Sequence, residues 1–191
     1  MKKILLILTA FVSLTAFTII NDTWTNDDPH SQLGFTVTHL GIADVSGTFN
    51  DFDVTVKSTK PDFSDASFEL TAKTASVDTR VEARNNHLKS ADFFDVEKYP
   101  ALNFKSTGIQ NAGENKYKLT GDLTIHGVTK TVTMDLLYTG MVENPMSKKQ
   151  TAGFQLTGTI KRSDFNVGHG FPEAVISDVV RIKADGEFLQ Q

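Results

Sequence analysis

The side chains that could do chemistry are scattered along this sequence of 191 residues. The five histidines form neither a His-x-x-x-His pair nor a dense cluster. The absence of cysteine excludes disulfides, thiolate metal sites and a cysteine nucleophile, and no Gly-x-Ser-x-Gly elbow occurs. A metal site assembled from distant strands stays open, but the sequence predicts no metal, no cofactor and no enzymatic activity. The histidines are His30, His39, His87, His126 and His169.

Two arginines are candidates for binding a polar head group. Arg84 lies at helical spacing from Val81 and Leu88, and Arg162 continues the inward parity of the strand before it. A guanidinium at an apolar entrance could hold a phosphate or a carbonyl oxygen. The commoner alternative is a solvated arginine or a salt bridge to a loop carboxylate. His87 and His39 are weaker candidates for the same role.

The N-terminus has the layout of a secretory signal peptide. Lys2 and Lys3 precede an uncharged stretch from Ile4 to Ile20. We therefore predict a signal peptide over residues 1–20, a single domain over residues 21–191 and a periplasmic or secreted location. An uncleaved membrane anchor is the alternative; after cleavage no stable membrane span is expected. Cleavage changes the formal charge from −4 to −6, and a pI near 5.7 disfavours nucleic acid as a partner.

Most of the remaining chain alternates between apolar and polar residues. Residues 152–162 and 179–189 are the clearest examples, and shorter runs occur at 33–37, 66–73, 117–125 and 132–138. A period of two with one apolar face is typical of antiparallel strands. Between Phe49 and Phe52 the apolar parity shifts, which predicts a β-bulge or a tight bend.

One segment departs from this period. In residues 79–95, apolar residues recur at helical spacing, which predicts a single helix near residues 80–91, followed by Phe93 and Phe94. About eight strands in up-and-down order favour a closed antiparallel barrel, with a two-sheet sandwich as the alternative. The class is therefore all-β with one α-helix packed at the barrel.

The inward face mixes large aromatic residues with very small ones. The small residues could simply fit the taper and bends of the barrel. Alternatively they leave a long apolar cavity that accepts an apolar chain. On the second interpretation, the expected ligand-lining residues are Phe35, Val37, Phe68, Leu70, Phe104, Leu123, Met134, Leu136, Tyr138, Phe154, Leu156, Gly158, Ile182, Ala184 and Phe188.

Five segments of the chain follow a sequence pattern known from other proteins: residues 28–52, 84–106, 119–134, 161–167 and 177–182. The second, with its helix, double Phe and Tyr-Pro, is the most specific. In these segments the chain resembles the YceI-like domain family, lipocalin-like periplasmic proteins of Gram-negative bacteria. The family usually has Asp after the helix Arg and often Gly after the later Asp-Phe, where this chain has Asn85 and Asn166. The resemblance implies a lipocalin-like eight-stranded barrel that binds a polyisoprenoid, an isoprenoid quinone precursor or a fatty amide.

The leading hypothesis is therefore a lipid-binding protein that acts by burying a long amphiphile. An enzyme acting on such a lipid and a packed barrel serving as a secreted stress protein are the alternatives, and a homodimer stays open. At the entrance we expect a head-group site, with Phe93 and Phe94 serving either as core or as a lid. The residues predicted there are Arg84, His87, Phe93, Phe94 and Arg162.

Overall fold

A computed structural model describes residues 22–191, so the leader predicted for residues 1–20 lies outside the described residues. In this range no helix is long and apolar enough to cross a membrane. Most of the described chain is β-strand, with one α-helix, α1, at Glu82–Lys89. The strands are β1 (Asp22–His39), β2 (Ala43–Phe49), β3 (Phe52–Ser58), β4 (Ser67–Lys73), β5 (Val77–Asp78), β6 (Ala101–Gly113), β7 (Lys116–Ile125), β8 (Val128–Glu143), β9 (Gln150–Lys161) and β10 (Val179–Gln190).

The strands close into an antiparallel barrel. Neighbours pair in the order β10, β9, β8, β7, β6, β4 and β3, and β1 joins the two edges by pairing with both β3 and β10. Because β2 and β3 together form one interrupted strand beside β1, the closed barrel has eight strands, and β5 adds a short pairing to β2. The predicted barrel is confirmed, and the ladder between β1 and β10 excludes the two-sheet sandwich.

The interruption between β2 and β3 confirms the predicted shift of parity. Phe49 and Phe52 end and begin these strands, with a bend at residues 50–51. The backbone N–H of Asn50 turns away from the ladder and donates to the carbonyl of Ser76 at 3.2 Å. One strand can therefore pair with both halves of β1, although the apolar parity changes along it.

Helix α1 is confirmed, but it is shorter than the predicted span of residues 80–91. Arg80 has a left-handed backbone with φ 64°, and Val81 is extended, so helical geometry begins only at Glu82. At the other end Ser90 is extended, and both its N–H and its hydroxyl donate to the carbonyl of His87. No residue of the helix is buried, because it lies over the barrel end rather than in the core.

The barrel has two different ends. At the plug end, the loop 59–66 inserts Phe63, which is 1% exposed, against Trp24, Tyr138 and Phe154 at ring-centroid distances of 5.0–5.4 Å. At the helix end lie α1, the segment 90–96 and the loop 162–178. The plug closes one end with tightly packed aromatic rings, which leaves the other end to give access to the interior.

Candidate functional site

A cavity of about 490 Å³ lies inside the barrel, between the plug end and the helix end. Its wall is overwhelmingly apolar, because each strand directs one face of its alternating sequence inward. Its volume falls within the range of small-molecule sites, roughly 300–1,000 Å³. Thirteen of the residues predicted to line a ligand lie in this wall: Phe35, Val37, Phe68, Leu70, Phe104, Leu123, Met134, Leu136, Phe154, Leu156, Ile182, Ala184 and Phe188.

Tyr138 and Gly158, also predicted to line the ligand, are not part of the wall. Tyr138 belongs to the aromatic packing of the plug end, with its ring 5.0 Å from Phe63 and 5.5 Å from Phe154. Gly158 faces inward, but the Met134 side chain occupies the space where a Cβ would stand. Both residues face inward as predicted, but they pack against neighbouring side chains and so do not border the cavity.

Arg84 lies in the cavity wall at the helix end and is oriented by its neighbours. Its Nε donates to Thr79 Oγ1 and one Nη2 hydrogen to the Thr79 carbonyl, both at 2.8 Å. Thr79 in turn donates its N–H and hydroxyl to Asn85 Oδ1, and Asn85 Nδ2 donates to Asp78. Asn85, where the family usually has Asp, therefore accepts from Thr79 and donates to Asp78. Neither of the two Nη1 hydrogens of Arg84 makes a hydrogen bond within residues 22–191.

His87 is the second polar residue of the predicted entrance in the wall. Its Nε2 lies 3.1 Å from Asp92 Oδ2, and its ring packs edge-on against Phe93 and Phe171. Since the side chain is about half exposed, with 47% of its surface accessible, the imidazole stands between solvent and the apolar interior.

Arg162 differs from both sequence-based expectations. It is buried, with 7% exposure, and its five N–H groups donate to five backbone carbonyls. No donor is left for a head group, and the side chain is neither solvated nor paired with a carboxylate. Arg162 therefore organises the loop 162–178, because carbonyls of this loop converge on it. The acceptors belong to Val167, Gly168, Phe171, Ile176 and Ser177.

Phe93 and Phe94 are packed into the wall at the helix end. Phe94 is 8% exposed and meets Phe49 edge-on at 5.5 Å, whereas Phe93 stacks on Phe171 at 5.0 Å. The Gly168 N–H donates to the Asp92 carbonyl at 3.0 Å and ties the two segments together. The pair therefore covers the cavity from the loop side while being part of the apolar core.

Several wall residues were not named from the sequence. Leu119, Ile125 and Ile160 lie on the same inward faces as named residues, so the period of two could have identified them. The wall residues of the loop 162–178 carry no such periodicity, because their positions follow from the carbonyl contacts of Arg162. Besides Arg162, which is itself a wall residue, they are Phe165, Val167, Phe171, Val175 and Ile176.

One group of residues with metal-ligating atoms lies outside this wall, at the irregular part of β1. The ligand atoms of Asp27, His30 and Glu187 are within 4.8 Å of one another. His30 Nδ1 lies 2.7 Å from Asp27 Oδ2, and this hydrogen bond, with the charges of Asp27 and Glu187, raises the pKa of the imidazole. The arrangement is that of an exposed histidine paired with carboxylates.

Known proteins resemble the chain over most of its length. A UPF0312 protein of Staphylococcus aureus strain N315 is 38% identical over 165 residues, covering 86% of this chain and 92% of that protein. The structure of Burkholderia cenocepacia BcnA is 30% identical, with a TM-score of 0.74 over 87% of this chain and 99% of that one. The Campylobacter jejuni YceI protein is 33% identical, with a TM-score of 0.74 over 81% and 90% of the respective chains.

A more distant structure shares the fold alone. It is a polyisoprenoid-binding domain of Saccharophagus degradans, implicated in plant cell wall breakdown, with 16% identity and a TM-score of 0.67 over 88% of this chain and 98% of that one. The model of the YceI-like domain matches residues 24–188, a range that contains all of the barrel strands except the first two residues of β1 and the last two of β10. With this match and with relatives above 30% identity over nearly their whole length, the chain belongs to the YceI-like domain family.

Proposed function

We propose that this protein binds one long apolar amphiphile inside the barrel. The observation that carries the proposal is the cavity of about 490 Å³ whose wall is built from Phe, Leu, Ile, Val and Met side chains. Each CH₂ group moved from water into such a cavity contributes about 0.8 kcal/mol, so a chain of many such groups binds without extensive hydrogen bonding. A polyisoprenoid, an isoprenoid quinone precursor or a fatty amide has this form.

The two barrel ends suggest the orientation of the bound molecule. Phe63 closes the plug end, so the tail points toward it. The polar head lies at the helix end, where Arg84, with its unused Nη1 hydrogens, and His87 are wall residues. A phosphate, carboxylate or carbonyl oxygen would complete the hydrogen bonding of Arg84. Arg162 contributes indirectly, by holding the loop that covers the same end.

The proposed action is binding and burial of the lipid, not its chemical conversion. The matched family supports a binding role, as does the polyisoprenoid-binding domain of Saccharophagus degradans, which shares this fold. We also propose that the protein works in the periplasm or outside the cell, since residues 1–20 have the layout of a signal peptide. A packed barrel without a ligand is disfavoured by the size of the cavity.

The direct test is native mass spectrometry of protein recovered from an exporting cell, followed by extraction and identification of the lipid. We expect one apolar amphiphile per barrel, recovered with its covalent structure unchanged. A barrel that carries no lipid and takes up no fluorescent prenyl or fatty-acyl probe would contradict the proposal. Recovery of a chemically altered lipid after incubation would favour the enzyme alternative.

A matched pair of substitutions on β10 tests the location. Ala184 faces the cavity and Lys183 faces solvent, so Ala184→Phe fills the interior while Lys183→Phe adds the same bulk outside. We expect Ala184→Phe to lose most probe binding, with a stability change within about 1–3 kcal/mol. Lys183→Phe should bind as wild type. Equal binding by both variants would place the ligand elsewhere.

A further inference from the structure

Exposed large apolar side chains lie at both ends of the barrel: Met141, Val142 and Met146 at the β8–β9 hairpin of the plug end, and four others at the helix end, next to the cavity wall. Ile42 is 85% exposed, Leu40 is 53% exposed, and Val81 and Val179 are 46% and 44% exposed. We call these four residues the apolar rim. The four rim residues lie on neighbouring elements. Val179 begins β10, which pairs with β1, and Leu40 and Ile42 lie in the turn that joins β1 to β2. Val81 follows β5, which pairs with β2.

The turn that carries the two most exposed rim residues is fixed in place. Leu40 has a left-handed backbone with φ 51°, which is disfavoured for a bulky residue. Its N–H donates to the Val175 carbonyl at 3.0 Å, and the N–H of Ile42 donates to the His39 carbonyl at 3.1 Å. The turn is therefore held against the loop 162–178 with its apolar side chains directed into solvent.

The apolar rim is continuous with the cavity. His39 and Val45, on either side of the turn, are wall residues, as are Val175 and Ile176 beside it. The apolar rim therefore borders the cavity wall directly. Exposed apolar residues at the entrance to an apolar site mark a place where another apolar phase makes contact.

Cations stand next to the two valines of the rim. Arg80 precedes Val81 in the chain, and Lys161 is directly opposite Val179 in the ladder between β9 and β10. Both are exposed, and neither forms an ion pair within residues 22–191. Basic side chains flanking an apolar edge fit the phosphates of anionic lipids around the acyl region.

Several carboxylates lie around the apolar rim. Asp178 precedes Val179 and accepts hydrogen bonds from Ser163, and Asp78 accepts from the N–H of Arg80 and from Asn85. Asp164 and Glu173 are exposed in the loop 162–178.

The Asp44 carboxylate is engaged by Arg181 at 2.5 Å, so it offers little charge to a surface. Glu82, next to Val81, is exposed and makes no ion pair within the described range, so it opposes an anionic surface. A charge-neutral variant of Glu82 therefore provides a test in the opposite direction.

From these contacts we infer that the apolar rim docks the protein on a phospholipid bilayer that contains anionic lipid, with the cavity entrance at the membrane surface. The inference rests on the proposed function, because docking there has a purpose only if the barrel exchanges a lipid with the membrane. Leu40 and Ile42 enter the interfacial region, and Arg80 and Lys161 meet the phosphates.

The test is co-sedimentation of the exported protein with vesicles of phosphatidylcholine and phosphatidylglycerol, and with vesicles of phosphatidylcholine alone. Ile42→Asp should weaken partitioning about tenfold, because the variant loses the free energy that the isoleucine side chain gains on leaving water for the membrane. Met146→Asp is the matched control, because Met146 is 93% exposed in the hairpin between β8 and β9, at the plug end. Glu82→Gln should strengthen partitioning on the anionic vesicles only.

Three vesicle results would overturn the inference: no partitioning of the wild type, an equal loss in Met146→Asp, or no gain in Glu82→Gln. A fourth would be a wild-type protein that does not bind vesicles but forms a dimer, with Ile42→Asp dissociating that dimer. Uptake of a prenyl probe added from solution separates this test from the proposed function. Normal uptake without vesicle partitioning refutes docking and leaves lipid binding intact. If the wild-type protein takes up no prenyl probe from solution, the lipid-binding proposal itself is refuted.

Discussion

At the residue scale, two arginines at the same barrel end differ in how many of their N–H groups are already hydrogen-bonded. Arg84 donates from Nε and Nη2 to Thr79, and its Nη1 hydrogens make no hydrogen bond within residues 22–191, whereas all five N–H groups of Arg162 donate to backbone carbonyls. A guanidinium with unused donors can bind a ligand, and one that is saturated can only hold structure. Substituting each arginine therefore separates binding from folding.

Arg84→Met should reduce the affinity for an amphiphile with a phosphate or carboxylate head about tenfold to a hundredfold, since a charge-assisted hydrogen bond contributes about 1.5–3 kcal/mol. The affinity for a plain hydrocarbon probe should change little, because methionine keeps the apolar contacts of the wall. Fluorescence titration with the two probes checks this, and an equal loss for both would argue against a head-group role.

Arg162→Met should lower the free energy of unfolding by about 3–5 kcal/mol, since buried carbonyls lose a charged donor. Arg181→Met is the control on an exposed pair with Asp44, which is expected to cost at most about 1 kcal/mol. Urea unfolding of both variants makes the measurement. If Arg162→Met were as stable as Arg181→Met, the loop would not depend on this guanidinium.

At the element scale, the cover at the helix end and the plug at the other end control access. Phe94→Ala removes a ring that packs on Phe49 and lines the cavity. We expect a loss of about 3–5 kcal/mol in stability, as for other buried phenylalanines, together with faster ligand release. Thermal midpoint and ligand off-rate are measured on the same sample. A large stability loss with an unaltered off-rate would make Phe94 core and nothing more.

The plug loop depends on the charge of Asp65. Burial alone would raise the pKa of this carboxyl, but hydrogen bonds from Ser58 and Thr59 outweigh it and lower the pKa from 3.8 to about 2. The carboxylate therefore stabilises the folded loop fully above pH 3.8, and this contribution is lost as pH falls through about 2. Asp65→Asn should remove this acid sensitivity.

The fluorescence of Trp24, the only tryptophan of the chain, is suited to following the plug because its ring lies 5.4 Å from Phe63. We expect wild-type emission to change between pH 4 and pH 2, as Asp65 approaches its pKa of about 2. The Asp65→Asn emission should stay nearly constant over that interval. An identical pH profile for both proteins would show that another group controls the plug.

At the scale of the whole molecule, the signal peptide predicted over residues 1–20 bears on where we propose that the barrel works. A basic start followed by an uncharged stretch predicts export and cleavage, with the mature chain beginning between about residue 17 and residue 23. Mass spectrometry of the protein recovered from the exporting cell checks this. A chain that still carries Met1 would instead support the membrane anchor and would put the barrel permanently beside a bilayer.

Closure of the barrel shows what local sequence could predict and what it could not. The alternation in residues 152–162 and 179–189 predicted two strands and their inward faces, because the period of two follows from backbone geometry. The pairing of β1 with β10, which removes the last open edges, joins residues as far apart as Trp24 and Gln190. Such a contact has no local pattern, so the sequence left a sandwich open.

The sequence by itself determined the strand faces, the helix, the bend before Phe52 and thirteen residues of the apolar wall, since all of these depend on periodicity within one segment. Only the tertiary structure decided which inward residues border empty space, because Met134 fills the place beside Gly158. It alone revealed the Phe63 plug and the carbonyl cage of Arg162. Both arise from loops, where side-chain direction is set by distant partners and not by a repeating pattern.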